Sequence, residues 1–391
     1  MKMVEEIKNH LEYSLIPFWA KLIDEENGGF YGMLDYDLNL DKKSMKGCIL
    51  NSRIMWFFSE AYLLLEDEKL LRYAEHGYRF LKEKCLDIEN GGLFWSVNYK
   101  GMPYDTVKHT YNQAFAIYAL AAYYKASKDE EALQLAEGIY ELIEDKCKDE
   151  GGYLEAFDET FHPVSNGKLS ENGVIAERTM NTLLHVMEAY TELYRVSGRE
   201  DVKENLLFIL DIFKDKVYNE EKHRQEVFFD RDYNSLIDLI SYGHDIEGAW
   251  LLERTLEVIG ECPQAGAIRK MSEEMADNIY NKAFDGHSVI NECENGVENV
   301  YRIWWIQAEA MVGFVNAYQD GHGSKYLIAA ERIWDYVKEY VVDKRKGSEW
   351  YWRLYSDGRP VSGEPIVEPW KCPYHNGRMC MEIVRRLGND S

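Results

Sequence analysis

The sequence predicts an all-α fold, an (α/α)6 barrel of twelve helices in two concentric rings. Apolar helical segments begin near residues 51, 111, 181, 244, 304 and 375, a repeat of roughly 60–70 residues six times over. A more polar, amphipathic helical segment follows each apolar one. A helix that is apolar all round must be buried, and an amphipathic helix can cover it. Short aromatic hairpins before the apolar helices complete each repeat and lie at one end of the predicted barrel.

The repeat is clearest in the first half of the chain. Residues 5–22 are predicted to form an amphipathic helix that Pro17 interrupts. Residues 26–32 (Glu-Asn-Gly-Gly-Phe-Tyr-Gly) predict a turn and strand, and the apolar helix from Asn51 is followed by a polar helix at about 69–85. The hairpin signal returns before each later apolar helix, at 89–95, 149–157, 225–230, 285–290 and 348–354.

The ends of the chain favour a closed ring. The N-terminal helix is expected to be the outer partner of the last inner helix, at 375–387. An open solenoid is the alternative, but neither end carries a polar capping repeat. No Pro-, Gly- or Ser-rich linker interrupts the 391 residues, so a single catalytic barrel domain, 1–391, is predicted.

Composition narrows the classes of function. A net charge of −24 makes nucleic acid an unfavourable partner, whereas a neutral substrate is compatible with it. The 28 Tyr and 10 Trp suit either an aromatic core or a pocket on whose faces sugar rings stack. The seven Cys include no CxxC pair, which predicts reduced thiols and a cytoplasmic protein. Neither a signal peptide nor a membrane helix is expected. A monomer or a weak homodimer is expected.

The segment 241–250 (Ser-Tyr-Gly-His-Asp-Ile-Glu-Gly-Ala-Trp) organises the functional prediction. His244 and Glu247 are three residues apart and share one face of a helix. An imidazole beside a carboxylate suits proton transfer near neutral pH. The plainer interpretation is that the two residues only cap a helix. No HExxH or similar spacing is present, so no metal site is predicted.

If the inner helices run parallel, their first turns share one mouth. Ordinary helix caps are Ser, Thr, Asp and Asn, whereas this set includes three His, two Arg and two Trp, which favours a functional pocket. His185 lies one turn inside its helix, and a hydrogen-bonded core histidine is its alternative interpretation. The residues expected at the mouth are Arg53, Tyr111, Asn112, Asn181, His185, His244, Glu247, Trp304, Trp305, Gln307, His375 and Arg378.

Five segments together resemble the N-acylglucosamine 2-epimerase superfamily, and within it the cellobiose 2-epimerase branch. They span essentially the whole chain, in order. The resemblance implies an (α/α)6 barrel and epimerisation at C2 of the reducing-end glucose of a neutral β-1,4-linked disaccharide such as cellobiose or lactose, without nucleotide or metal. The segments are Glu-Asn-Gly-Gly-Phe-Tyr-Gly, Asn-Ser-Arg-Ile-Met-Trp-Phe-Phe-Ser, Ser-Tyr-Gly-His-Asp-Ile-Glu-Gly-Ala-Trp, Arg-Ile-Trp-Trp-Ile-Gln-Ala-Glu and Glu-Pro-Trp-Lys-Cys-Pro-Tyr-His-Asn-Gly-Arg.

The same resemblance implies a role for each site residue. His244 and His375 are expected to be the two acid/base groups, and Glu247 the partner of the His244 region. Arg53 and His185 are expected around the enediolate oxygen. Stacking on the two sugar units is expected from Trp305 and Trp370. The further substrate contacts that the resemblance implies are Tyr111, Asn181, Trp304 and Glu309.

Three alternatives remain at the level of sequence. The chain could be another member of the superfamily, either an N-acylglucosamine epimerase or an aldose–ketose isomerase. A glycoside hydrolase needs two carboxylates across a scissile bond, and the predicted mouth is richer in His than in Asp or Glu. A non-catalytic sugar-binding protein would have no use for three convergent His.

Overall fold

The six apolar segments form six long helices in the computed structural model, which describes residues 1–169 and 172–388. Each inner helix begins within three residues of its predicted start. Their cores are almost wholly buried on every side, as the all-round apolar pattern predicts. The inner helices are α3 (Cys48–Leu65), α5 (Thr110–Ser127), α7 (Met180–Ser197), α9 (Tyr242–Ile259), α11 (Trp304–Gln319) and α13 (Tyr374–Leu387).

These helices form a closed ring, because each packs on the next and α13 packs on α3. The predicted (α/α)6 barrel is therefore confirmed, and the open solenoid is wrong. An outer helix follows and covers each of the first five inner helices, while the N-terminal α1 covers α13 as predicted. The outer helices are α1 (Lys2–His10) with α2 (Ile16–Ala20), α4 (Glu68–Phe80), α6 (Glu130–Leu142), α8 (Glu200–Ile212), α10 (Ala265–Lys282) and α12 (Ser324–Tyr336).

Five outer arms contain a single π-helical turn that the sequence pattern does not reveal. In the N-terminal arm the turn lies between α1 and α2, and Pro17 falls in the first turn of α2. A proline in a first turn needs no partner for the N–H that it lacks, so the arm continues to Ala20. Pro17 therefore does not break the predicted helix. The π turns are Leu11–Leu15, Leu81–Cys85, Ile143–Cys147, Phe213–Val217 and Val337–Val341.

Short antiparallel strands link neighbouring repeats at the end of the barrel where the inner helices begin. The strand that leads into each of α3, α5, α7, α9 and α11 pairs with a strand of the following repeat. A bridge between Leu34 and Val367 closes this second ring. The strands are β1 (Lys46–Gly47), β2 (Ser96–Val97), β3 (Pro103–Asp105), β4 (Lys108–His109), β5 (Lys148–Asp149), β6 (Gly152–Tyr153), β7 (Ala156–Phe157), β8 (Arg178–Thr179), β9 (Tyr218–Asn219), β10 (Arg224–Gln225), β11 (Phe228–Phe229), β12 (Leu239–Ser241), β13 (Glu292–Glu294), β14 (Val297–Asn299), β15 (Arg302–Ile303) and β16 (Arg353–Leu354).

A buried cation stands just before five of the six inner helices and pairs with an acid of its hairpin. In the first repeat, Lys46 Nζ lies 2.6 Å from Asp24 Oδ2, while Asp24 Oδ1 accepts two backbone N–H bonds of the turn. The α9 repeat departs from the rule, with Ile240 at the equivalent place. These pairs anchor the hairpins to the helix starts that form the mouth. They are Lys46–Asp24, Lys108–Asp87, Arg178–Asp149, Arg302–Asp285 and Lys371–Glu349.

Within the part of the chain that the structure describes, no helix is both long and apolar enough to cross a membrane. The predicted domain runs to residue 391, and its last three residues lie outside the described ranges.

Close contact between inner helices predicts opposite effects for two Gly→Ala substitutions. A Cβ at Gly313 on α11 would lie 2.5 Å from Ile246 Cγ1, so Gly313→Ala should lower the free energy of unfolding by about 1–3 kcal/mol through overpacking. A Cβ added at Gly138, on the outer helix α6, would have no neighbouring atom within 4 Å. Gly138→Ala should therefore raise the free energy of unfolding by about 0.5–1 kcal/mol. Denaturant unfolding measures both values, and equal effects would contradict the packing described.

Candidate active site

A cavity opens among the first turns of the inner helices. Ten of the eleven residues to which the resemblance gives a role line it, as do nine of the twelve expected at the mouth; Asn112, Gln307 and Arg378 do not. Leu169 and Trp352 also line the cavity, and neither was predicted. The predicted residues that it brings together are Arg53, Tyr111, Asn181, His185, His244, Glu247, Trp304, Trp305, Trp370 and His375.

The indole of Trp305 lies between two imidazoles on one wall. Its ring centroid is 4.8 Å from that of His244 and 5.2 Å from that of His375. Gly243 allows this packing, because a Cβ there would lie 2.5 Å from the edge of the Trp305 ring. Trp304 meets His375 edge-on at 5.5 Å. Both imidazoles are therefore held by aromatic faces at the wall of the cavity.

The tautomer of His375 follows from its hydrogen bonds. Its Nδ1 lies 2.7 Å from Glu309 Oε1, which also accepts from Arg378 Nη2 at 2.7 Å. Trp250 Nε1 donates to the other oxygen of Glu309. Because Arg and Trp can only donate, Glu309 acts as the acceptor and His375 carries a hydrogen on Nδ1. The Nε2 lone pair of His375 is left for the cavity.

Arg378 also links the His375–Glu309 pair to a second pair of an imidazole and a carboxylate, His185 and Glu188. Its Nη1 donates to Glu188 Oε1, and Glu188 Oε2 lies 2.9 Å from His185 Nδ1 and accepts from the Tyr374 hydroxyl at 2.5 Å. Burial acts to raise the pKa of Glu188, but Arg378 and His185 outweigh it and hold that pKa at about 2. Glu188 is thus ionised, and His185 is oriented as His375 is.

Glu247 differs from the other two carboxyl groups. Its Oε1 accepts from Arg378 Nη2 at 2.5 Å, while its buried Oε2 has no hydrogen-bond partner among the described residues. Burial and the neighbouring Glu309 raise the pKa of Glu247 well above its usual range. Glu247 is therefore a buried acid at the wall of the cavity, suited to donate a hydrogen bond to a ligand oxygen.

The expected pairing of Glu247 with His244 is wrong. His244 Nδ1 instead lies 2.7 Å from the hydroxyl of Ser241, and Glu247 lies nearer to His375, with 3.8 Å between Oε1 and Nδ1. The three-residue spacing does place His244 and Glu247 on one face, but Arg378 attracts the carboxylate across the barrel axis. Burial lowers the pKa of His244 to about 3, so the imidazole is neutral.

Arg53 has an unusual environment for a buried guanidinium. It donates to the Tyr111 hydroxyl at 2.6 Å and to Cys372 Sγ at 3.7 Å. The central carbon of the guanidinium, Cζ, lies 4.0 Å from the centroid of the Phe115 ring. Within the described ranges it forms no ion pair with a carboxylate. A buried cation with neutral partners favours negative charge on a ligand in the cavity.

Glu247, Glu309 and His375 each offer one ligand atom within 4.8 Å of the others, a grouping that can hold a metal ion. Arg378 Nη2 already bonds to both carboxylates, at 2.5 and 2.7 Å. The guanidinium supplies the positive charge that the cluster needs. The geometry therefore gives no support to a metal site here.

Comparisons with known sequences and solved structures identify the family of this chain. The family model described as N-acylglucosamine 2-epimerase (GlcNAc 2-epimerase) matches residues 29–376. The chain belongs to the N-acylglucosamine 2-epimerase family. It is 50% identical to a protein of Eubacterium cellulosolvens named cellobiose 2-epimerase, over 97% of this chain and 98% of that protein. A solved cellobiose 2-epimerase from Bacillus thermoamylovorans B4167 superposes with a TM-score of 0.96 at 47% identity, covering 99% of this chain and 100% of that one.

A more distant likeness bears on the fold of this epimerase-family chain. A solved D-mannose isomerase superposes with a TM-score of 0.85 at 19% identity, over 98% of both chains. At that identity the likeness shows the fold alone.

Sequence reasoning placed Glu309 at the substrate, but in this epimerase-family protein it lies behind His375 and does not line the cavity. It also missed Trp352, which lies in the aromatic Glu-Trp-Tyr-Trp run at 349–352. Alternation along this run does not identify it, because Trp350 is fully buried and donates to His10 Nε2 instead of lining the cavity. Glu188 carries no local signal either, since its role depends on His185 and on Arg378 from a distant helix.

Packing at Gly243 predicts a loss of activity from a single added methyl group. In Gly243→Ala the new Cβ displaces Trp305, which holds both His244 and His375. Because displacements of about 1 Å cost up to ~10²-fold in rate, we expect kcat to fall at least about tenfold while the protein stays folded. Steady-state kinetics and thermal unfolding measure the two effects, with Gly138→Ala as the matched control. Unchanged kcat in a folded variant would contradict the geometry.

Proposed function

We propose that this protein catalyses the reversible epimerisation at C2 of the reducing-end glucose of β-1,4-linked disaccharides. Cellobiose would give glucosyl-mannose, and lactose would give epilactose. The observation that carries the proposal is the convergence of His185, His244 and His375 on one cavity beside Arg53. The names of the relatives at about half identity support the same substrate class. We further propose that residues 1–391 act as one catalytic domain.

The reaction begins with opening of the pyranose ring. The O1 proton leaves, the C1–O5 bond breaks and O5 gains a proton, which yields an aldehyde at C1. Glu247 is suited to assist, since it presents a protonated carboxyl to the cavity. The carbonyl then acidifies the hydrogen on C2, and a neutral imidazole can remove it as a general base.

Removal of the C2 proton leaves the electron pair of the C–H bond in a C1=C2 double bond and negative charge on O1. The product is a cis-enediolate. Arg53 is always charged and has no carboxylate partner among the described residues, so it suits this oxyanion. His185, oriented by Glu188, is placed to donate or accept a hydrogen bond at the same oxygens.

Inversion at C2 requires that the new proton arrive on the opposite face. We assign His244 and His375 as the two groups, one removing a proton while the other delivers one. Each can cycle between neutral and protonated forms, and no electrons are gained or lost in the reaction. Neither a nucleotide nor a metal ion is required by this chemistry.

Four indoles suit a substrate of two sugar units. Trp304, Trp305, Trp352 and Trp370 line the cavity, and Trp370 lies 5.8 Å from Tyr111 between ring centroids. We propose that Trp305 and Trp370 stack on the sugar rings, with Trp352 adding apolar surface. Asn181 Oδ1 is buried without a partner in the described part of the chain, so it can accept from a sugar hydroxyl.

A glycoside hydrolase is a weaker candidate. Its two carboxyl groups must flank the scissile bond, with the acid free to protonate the leaving oxygen. Here Glu188 and Glu309 bond to Arg378 behind the imidazoles, and among the described residues Glu247 is the only carboxyl group that lines the cavity. The seven cysteines are free thiols, which suits the proposed cytoplasmic location. We propose a monomer or a weak homodimer as the working form.

Incubation with cellobiose in D2O, without added metal or nucleotide, tests the proposal by proton NMR. We expect glucosyl-mannose with deuterium at C2, because the delivered proton comes from a group that exchanges with solvent. Free glucose would instead show a hydrolase. Turnover of N-acetylmannosamine or free mannose, but not of cellobiose, would assign a sister activity of the family.

The same assay separates catalysis from binding. His375→Ala and His244→Ala should each lose about 10²–10⁴-fold in kcat, the usual contribution of a general acid or base. Circular dichroism and gel filtration check that each variant is folded. A folded His375→Ala variant with near-normal activity would contradict the two-imidazole mechanism.

A further inference from the structure

Ser241 occupies the N-cap position of α9 but does not cap the helix. At the starts of α5 and α7 the cap side chains do so: His109 accepts from Tyr111 N, and Thr179 Oγ1 accepts from Thr182 N. Ser241 makes no such bond, and its hydroxyl instead lies 2.7 Å from His244 Nδ1. Serine is among the best N-caps, so the helix forgoes this stabilisation in favour of a contact with an imidazole.

That contact is the one side-chain hydrogen bond of His244 among the described residues. The two nitrogens of an imidazole lie on opposite sides of the ring. With Nδ1 engaged by Ser241, Nε2 is left for the cavity that His244 lines. The hydroxyl therefore sets both the rotation of the ring and the nitrogen that faces a ligand.

We propose that Ser241 is a positioning residue for the reaction: its oxygen accepts the Nδ1–H of His244 in both the neutral and the protonated ring, so that Nε2 remains the atom that exchanges protons with C2. This inference rests on the proposed function. It extends that function to a residue that never touches the substrate.

The proton count is consistent with this role. In the base state Nδ1–H donates to Ser241 and the Nε2 lone pair takes the C2 proton, whose bonding electrons form the C1=C2 double bond. In the acid state both nitrogens carry hydrogen. Nε2 gives its proton to C2, the electron pair of the C1=C2 double bond forms the new C2–H bond, and the negative charge on O1 returns to form the C1 carbonyl. The bond from Nδ1–H to Ser241 is unchanged in both states. Were the hydroxyl to donate to Nδ1, Nε2 would carry the only ring hydrogen and could not act as a base.

The partner of His244 is neutral, whereas His375 has the carboxylate of Glu309. Burial and His185 from α7 together lower the pKa of His244 to about 3, against the opposing effect of Glu309 from α11. A hydroxyl stabilises the protonated ring less than a carboxylate does. Burial, with Arg378 and Arg53, also lowers the pKa of His375 well below its usual range, so both imidazoles are neutral and differ in the charge of the group that holds Nδ1.

Ser241→Ala tests the role, with Ser241→Thr as the conservative variant that keeps the hydroxyl. Ser59→Ala is the matched control, because Ser59 is also buried on an inner helix but bonds to the backbone oxygen of Met55. We expect Ser241→Ala to lower kcat for cellobiose about 10- to 100-fold, the cost of an unpaired buried N–H, with little change in KM. Its melting temperature is measured alongside, and Ser59→Ala shows the fall that loss of a buried serine hydroxyl causes by itself.

The pH profile distinguishes positioning from a merely structural role. Loss of the acceptor disfavours the protonated ring, so the limb of the kcat profile that reports His244 should move to lower pH in Ser241→Ala and return in Ser241→Thr. Unchanged kcat and an unchanged profile in Ser241→Ala would overturn the proposal.

Nitrogen-15 NMR of the unaltered protein, labelled at histidine, gives a second test that needs no variant. We expect His244 as the neutral tautomer with hydrogen on Nδ1, and a hydrogen on Nε2 alone would overturn the proposal even if Ser241→Ala failed to fold. If the unaltered protein does not epimerise cellobiose, the proposed function fails, whereas this measurement still reports on Ser241 and His244.

Discussion

The site depends on the positive charge of Arg378 in the middle of the barrel. This guanidinium, on α13, bonds to Glu188 on α7, Glu247 on α9 and Glu309 on α11, and so joins four of the six inner helices. All three carboxyl groups are buried, and a buried carboxylate without a partner is strongly destabilising. With Arg378 in place, two of them can accept hydrogen bonds from imidazoles.

The three imidazoles of the site are oriented by partners of different charge. Glu188 and Glu309 orient His185 and His375, and the neutral Ser241 orients His244. Arg53 keeps no carboxylate of its own in the described part of the chain, so the developing charge of an enediolate has a cation available. Five ion pairs with buried cations anchor, at the hairpin bases, the helix starts from which most of these side chains project. Rigid supports of this kind are what a site needs to hold reacting groups in place.

The inner helices and most of the residues around the cavity could be predicted from the sequence, because an all-round apolar segment in each repeat indicates a buried helix. Six apolar segments gave six inner helices, and their shared starts placed nine of the twelve residues expected at the mouth around one cavity. Contacts between distant helices could not be predicted. Arg378 and Glu188 are 190 residues apart, so no local spacing reveals that they meet. For the same reason Glu247 was assigned to His244 by spacing, whereas the charge across the axis draws it to Arg378. The predicted interruption at Pro17 was wrong because a π turn precedes this residue, which places Pro17 in the first turn of α2, where a proline is tolerated.

The central claim is that different groups remove and deliver the C2 proton, and an isotope experiment tests it most directly. Cellobiose that carries deuterium at C2 is incubated in ordinary water, and the product is analysed by NMR while conversion is still low. Exchange through two imidazoles predicts product with hydrogen at C2, while the remaining substrate keeps its deuterium. Product that retains the deuterium would show one group returning the same proton, and would contradict the account.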